Sequence, residues 1–254
     1  MKSGFVVLIL VVLLVNLREL VPASQGRCRK SKLFTAQGIT AWTVPSNTHA
    51  FFYKSGLAVD ADGAYRAYHP KDQLGLDALS HAGYPGNWWA LVTDNGRPTG
   101  QPVIQRKSDP APGFYISTTA LYDPKNPNIR DPHRYVDAAK IPYVVLHPKA
   151  LKHARLGDFA TVVNLRNGKI SAAIVADESA PDLPVGEGSI ALADALVINS
   201  DARHGGQDEA VVYIIYSGSG DRSPRTFKEI VAKATQLFET WGGLSRLKAC
   251  LAEE

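Results

Sequence analysis

The chain has 254 residues, 45% of them hydrophobic and 20% charged, with 28 basic against 24 acidic side chains and a formal charge of +4. That balance supplies enough apolar residues for one sizeable core and excludes a disordered polyelectrolyte. Apart from the cluster at 27–32 the basic residues are dispersed, so no nucleic-acid partner is expected.

Residues 1–23 read as a secretory signal, with Lys2, an apolar run at 5–14 and the small-residue end Val21-Pro22-Ala23. The run is shorter than the roughly 20 apolar residues that span a bilayer, which disfavours a retained anchor. The expected product is secreted, extracellular, monomeric and free of the membrane after cleavage. Residues 24–48 are polar with little periodicity and are expected to form an N-terminal arm, leaving 49–254 as one domain. Cys28 and Cys250 are the only cysteines. In an oxidising compartment they would close nearly the whole polypeptide into a loop; two free thiols are the alternative.

Runs at 49–59, 88–93, 114–121, 143–146, 159–165, 170–176 and 211–216 are rich in Val, Ile, Tyr and Phe and bounded by Gly, Pro, Asn and Asp, which predicts the short strands of a mainly β barrel. Stretches at 83–86, 95–102 and 109–113 are expected to be loops. Arg166-Asn167-Gly168-Lys169 predicts a hairpin turn with positive φ at both Asn167 and Gly168. A short helix is predicted from a Ser189 cap to Leu196. The C-terminal amphipathic helix takes Ser223 as cap and Pro224 in its first turn, with an apolar stripe from Phe227 to Trp241 that ends at Gly242-Gly243.

Asp177 and Glu187 lie ten positions apart, across a Pro/Gly turn between an apolar strand and a helix start. Burial at the strand end would raise the Asp177 pKa, whereas Glu187, beside Gly186 and Gly188, is expected to be solvated. Two carboxyls in different environments suit general acid and base work; alternatively, Asp177 starts a turn and Glu187 favours the next helix N-terminus. Asp60-Ala-Asp62-Gly63 reads either as a tight turn or as an acidic cluster, and it lacks the distal glutamate of an EF-hand. Trp88 and Trp89 point to opposite sides if they share a strand, so at most one can face a sugar. The histidines show no metal spacing, His147 and His153 having no third ligand, and no metal or cofactor is expected.

Phe52 to Gly63, Ala67-Tyr-His-Pro70, Ala82 to Trp89, Pro102 to Gln105, Asp109 to Thr118, Ile141 to Val145, Asp177 to Ser189 and Tyr216 to Ser219, in that order, resemble glycoside hydrolase family 75, the chitosanases best known from fungi. The resemblance implies a cofactor-independent, inverting endo-hydrolase of β-1,4-glucosamine polymers, with Asp177 and Glu187 as the catalytic pair; the strand-end position suggests Asp177 as general acid and Glu187 as the base that orients water. Asp60 and Asp62 would then contact glucosamine ammonium groups, with Trp88, Gln105 and Asp109 as further substrate contacts. A shorter stretch, 156–193, is similar to the double-psi β-barrel of expansins and some cellulases, so a six-stranded double-psi-like barrel is expected, and with it two alternatives: a non-catalytic wall-binding or wall-loosening protein, or a hydrolase of another polysaccharide.

Overall fold

The structure is a computed structural model that describes residues 28–252, so the expected signal segment lies outside the described residues. Where an arm was expected, two strands form, β1 (Ser31–Ala36) and β2 (Ile39–Val44), joined by a tight turn with positive φ at Gln37 and Gly38. Neither strand has a strong alternating pattern, and Gln-Gly is a weaker hairpin signal than Asn-Gly. β2 pairs with the start of the long β3 (Asn47–Asp60), so the segment is part of the sheet.

Between β3 and the next barrel strand lie residues 61–142, whose regular strands among the described residues are only the short β4 (Gly83–Tyr84) and β5 (Asn87–Trp88). The strands expected at 88–93 and 114–121 are therefore mostly irregular, joined through isolated bridges such as Leu91 to Ser117 and Ile104 to Tyr115. Neither segment holds a proline, but Pro98, Pro102, Pro110 and Pro112 break up the stretches between them, and Pro102, which bridges Thr93, has no N–H to donate.

The remaining elements are β6 (Tyr143–Leu146), α1 (Pro148–Leu151), β7 (Phe159–Asn164), β8 (Ile170–Glu178), β9 (Glu187–Ser189), α2 (Ile190–Ala195), β10 (Gln207–Tyr216), α3 (Phe227–Trp241) and α4 (Gly243–Leu251). Six strands close a barrel in the order β3, β10, β7, β8, β6, β9 and back to β3. The β6–β8 and β3–β9 pairs are parallel and the other four antiparallel.

Alternation along these strands separates two buried clusters. Phe51, Tyr53, Val144, Val175, Tyr213 and Ile215 fill one, inside the barrel. Phe52, Tyr143, Val145, Ile174, Val212 and Ile214 face the other, outside it, beneath α3 and the 61–142 segment. Trp241 of α3 meets Phe52 there, with ring centroids 5.9 Å apart.

Local signals meet different outcomes. Ser189 caps α2 as expected, its Oγ accepting from the Leu192 N–H. The cap of α3 is Thr226 and not Ser223, because Thr226 and Glu229 form a reciprocal capping box that Ser223 cannot make; Pro224 precedes the helix. In the 165–169 loop only Gly168 has positive φ, since the loop is longer than a two-residue turn and the Asn167 side chain ties it to the Leu196 carbonyl.

Cys28 and Cys250 form a disulfide across 222 positions, fastening α4 beside β1. Loss of this link, by Cys28→Ser or by reduction, should lower the unfolding free energy by about 2–4 kcal/mol, because the unfolded chain regains the freedom of a very long loop. Urea unfolding with and without reductant measures the difference; equal midpoints would show that the bridge does not contribute.

Candidate active site

The site begins with an irregularity in β8. Val144 pairs with Val175 but Val145 pairs with Asp177, so Ala176 is an extra residue. Such a bulge shifts the inside-outside alternation, and Asp177 joins Val145 on the outer face instead of following Val175 into the barrel. Across β6, Val145 pairs with Glu187, and across β9, Glu187 pairs with Ala58. Asp177 and Glu187 thus occupy one lateral row with a single strand between them, their Cα atoms about 10 Å apart by strand spacing. Ala58 is exposed and both carboxyl residues are partly exposed, so the row opens to solvent.

Tight backbone packing places Glu187. Gly186 has φ 110°, and a Cβ on it would lie 2.3 Å from Ser55 Oγ and 2.5 Å from the Gly56 carbonyl. A Cβ on Gly188 would lie 2.8 Å from the Tyr143 carbonyl. Only glycine fits on either side of Glu187, because β9 is wedged between β3 and β6.

Asp60 ends β3 on the same face as Ala58. One carboxyl oxygen from each of Asp60, Asp62 and Asp177 lies within 4.8 Å of the others. Asp60 Oδ1 accepts from the Asp62 N–H (2.8 Å) and its Oδ2 from the Tyr143 hydroxyl (2.9 Å). Asp62 Oδ1 accepts from the Tyr68 hydroxyl (2.7 Å) and, more weakly, from Ser117 Oγ (3.3 Å). Asp177 Oδ1 accepts two backbone N–H groups, from Glu178 (2.8 Å) and Ala120 (3.2 Å). Glu187 accepts no side-chain hydrogen bond from the described residues. Asp62 Oδ2 and Asp177 Oδ2 are likewise left without donors, giving a small acidic recess suited to a cation. The turn reading of 60–63 is therefore only half the answer, since Asp60 is 8% exposed and built into the cluster.

Burial is the main force on these groups. It raises Asp60 to about 6, opposed by its bonds from the Asp62 N–H and Tyr143. Asp62, Asp177 and Glu187 are pushed well above the ordinary carboxyl range, first by burial and then by the negative charge of Asp60 and of one another. Glu187 keeps partial exposure beside its glycines, yet burial and the neighbouring carboxylates still raise it.

Several expected contacts lie elsewhere. Trp88 is 8% exposed and packs in the outer core, so its face is closed to a sugar; its neighbour Trp89 is 53% exposed. Gln105 is 3% exposed and spends its amide within the protein, donating to the Tyr65 and Tyr115 carbonyls and accepting from the Ala111 N–H. Asp109 closes a turn by accepting from the Arg106 N–H. His147 caps α1 and His153 stacks on Phe34, which gives each a structural place. Sequence reasoning missed the buried Asp77, which pairs with His81 Nδ1 at 2.9 Å, and assigned no role to Ser117 or Tyr143, which lie within two of the motifs. Tyr68 likewise belongs to a motif without a role of its own, and no spacing rule marks these positions.

Because the native state holds a proton on Asp60 up to about pH 6 that the unfolded chain releases near 3.9, this residue's contribution to stability is full below about pH 4 and is lost as pH rises through 6. The decline amounts to up to about 3 kcal/mol. Asp60→Asn should flatten this part of the stability profile and gain on the wild type at pH 7. Urea unfolding across pH 4–7.5 measures it, and parallel profiles for the two proteins would contradict it.

Comparison with known proteins adds to this geometry. No match was found among curated protein sequences. The family model described as fungal chitosanase of glycosyl hydrolase group 75 matches residues 109–243, which include Asp177 and Glu187 but not Asp60 or Asp62. That match spans more than half of the chain, and with the barrel behind it the protein belongs to the fungal chitosanases of glycosyl hydrolase group 75, a family of glycoside hydrolases.

Proposed function

We propose that the protein is a secreted, endo-acting chitosanase that cleaves β-1,4-glucosamine linkages with inversion, using Asp177 and Glu187 as base and acid. The carrying observation is their common row across β6, open to solvent. A separation of about two strand spacings suits an inverting pair, which needs carboxyls roughly 6.5–9.5 Å apart to leave room for a water.

Environment separates the roles. Burial raises both carboxyls, but at Asp177 two backbone N–H groups oppose it by stabilising the anion, whereas no bond favours the anion of Glu187. Protonated Glu187 gives its proton to the glycosidic oxygen as the C1–O bond breaks, while Asp177 takes a proton from the water that attacks C1 from the opposite face. The products are a new reducing end of inverted configuration and a free 4-hydroxyl.

The donor-free oxygen of Asp62 offers a glucosamine ammonium a charge-assisted hydrogen bond, a contact that a neutral N-acetyl group cannot make. This local acidity draws the polycation in despite the chain's formal +4. The disulfide supports export, since such bonds persist in oxidising compartments.

Asp177→Asn and Glu187→Gln should each cut the release of reducing ends from soluble chitosan by about 10²–10⁴-fold while leaving the unfolding midpoint near that of the wild type. Azide should restore turnover to Asp177→Ala, and Glu187→Gln should regain rate only on oligomers with an aryl leaving group. The opposite rescue pattern exchanges the roles. Retained anomeric configuration by proton NMR, or an amide variant that keeps most of its activity, would overturn the mechanism.

A further inference from the structure

The β4–β5 hairpin carries two aromatic rings that the core does not use. Trp88 turns inward and Trp89 outward, and Tyr84 on the facing strand is also exposed. The two exposed rings meet at 79° with centroids 5.9 Å apart. The Trp89 indole N–H donates to the His81 carbonyl at 2.9 Å, which fixes the ring in place.

That anchor leads to the acid cluster. His81 Nδ1 contacts buried Asp77, whose second oxygen lies 3.4 Å from the Tyr68 hydroxyl that donates to Asp62. The charge of Asp77 acts on both Glu187 and Asp60. The aromatic ledge is therefore mounted on the residues that frame one side of the cleft. At its rim, the Asn87 amide and the Tyr84 hydroxyl, 3.5 Å apart, supply hydrogen-bonding groups.

A Trp and a Tyr held open to water forgo the burial that makes such residues favourable in cores. A saccharide ring can restore it by laying its C–H face on the indole, and the ammonium of glucosamine adds attraction to the ring's negative face. We propose that Trp89, framed by Tyr84, is a glucosamine-binding subsite outside the two units joined by the scissile bond, and that it holds a distal unit of the chitosan chain. This rests on the chitosanase reading of the cleft.

The test is the dependence on chain length. Trp89→Ala should lower kcat/KM for a glucosamine hexamer and for polymer by about three- to ten-fold, mainly through KM, and affect the shortest cleaved oligomer far less. Trp89→Phe, which keeps an aromatic face, should recover most of the loss. If Trp89→Ala does not fold, Tyr84→Ala carries the same comparison, because its ring is exposed and its hydroxyl makes only the rim contact. A loss equal at all chain lengths, or no loss, would overturn the subsite. Wild-type protein that releases no reducing ends from chitosan would overturn the proposed function and the subsite together, whereas normal wild-type hydrolysis with length-independent variants overturns the subsite alone.

Discussion

Three residues close this barrel, and the rest of the site depends on them. Glu187–Ser189 hydrogen-bond to β3 on one side and β6 on the other, so the strand that joins the sheet's two edges also carries one of the paired carboxyls. The wedge leaves no room for side chains at 186 and 188, and the polypeptide there is held by its neighbours' backbones. Opening it would expose two strand edges as well as unseat Glu187. On the other side of β6, the bulge at Ala176 performs the matching task by turning Asp177 out of the barrel interior. Closing the barrel and placing the two carboxyls are therefore a single structural constraint.

The electrostatics of the cleft oppose folding. Four carboxyls gather at one place, and among the described residues none of them has a Lys or Arg partner within ion-pair distance. Hydroxyls of Tyr68 and Tyr143 and backbone amides supply the compensation instead, and these offset burial only in part. Such a site is satisfied by binding protons or by binding a cation. On the proposed reading, an amino sugar would bring the missing positive charge with it, and the uncompensated carboxyls would then contribute to its affinity.

The sequence was most legible where one side chain pattern decided the outcome. The Val- and Ile-rich runs of β6, β7, β8 and β10 could only be buried strands, and Ser189 could only favour a cap. It was least legible where tertiary contacts decide. β1 and β2 are strands because β3 offers them an edge, and residues 88–93 and 114–121 fail as ladders although neither holds a proline, because the stretches between them are broken by prolines such as Pro102 opposite Thr93. Spacing marked Asp177 and Glu187 but gave no sign that the flanking glycines also permit close backbone packing, which leaves Glu187 partly exposed and still raised by burial. The tandem tryptophans were resolved only by the register of a two-residue strand, which nothing in the local sequence fixes.

A six-stranded barrel has little interior to offer, and here Phe51, Tyr53 and Tyr213 fill it. A cleft must therefore be built on the outer wall, which needs a second wall to face it. The 61–142 segment supplies that wall with few regular strands because part of its backbone and polar side chains is committed to the cleft: Ala120 to Asp177, Ser117 and Tyr68 to Asp62. The family match begins at 109, within this segment, and runs on through the strands that hold Asp177 and Glu187. Asp60, Asp62, Tyr68, Asp77, His81 and Trp89 all precede it. The chain thus divides its labour along its length: the matched part carries the pair proposed to cut the linkage, and the part before it carries the groups that would grip the sugars on either side.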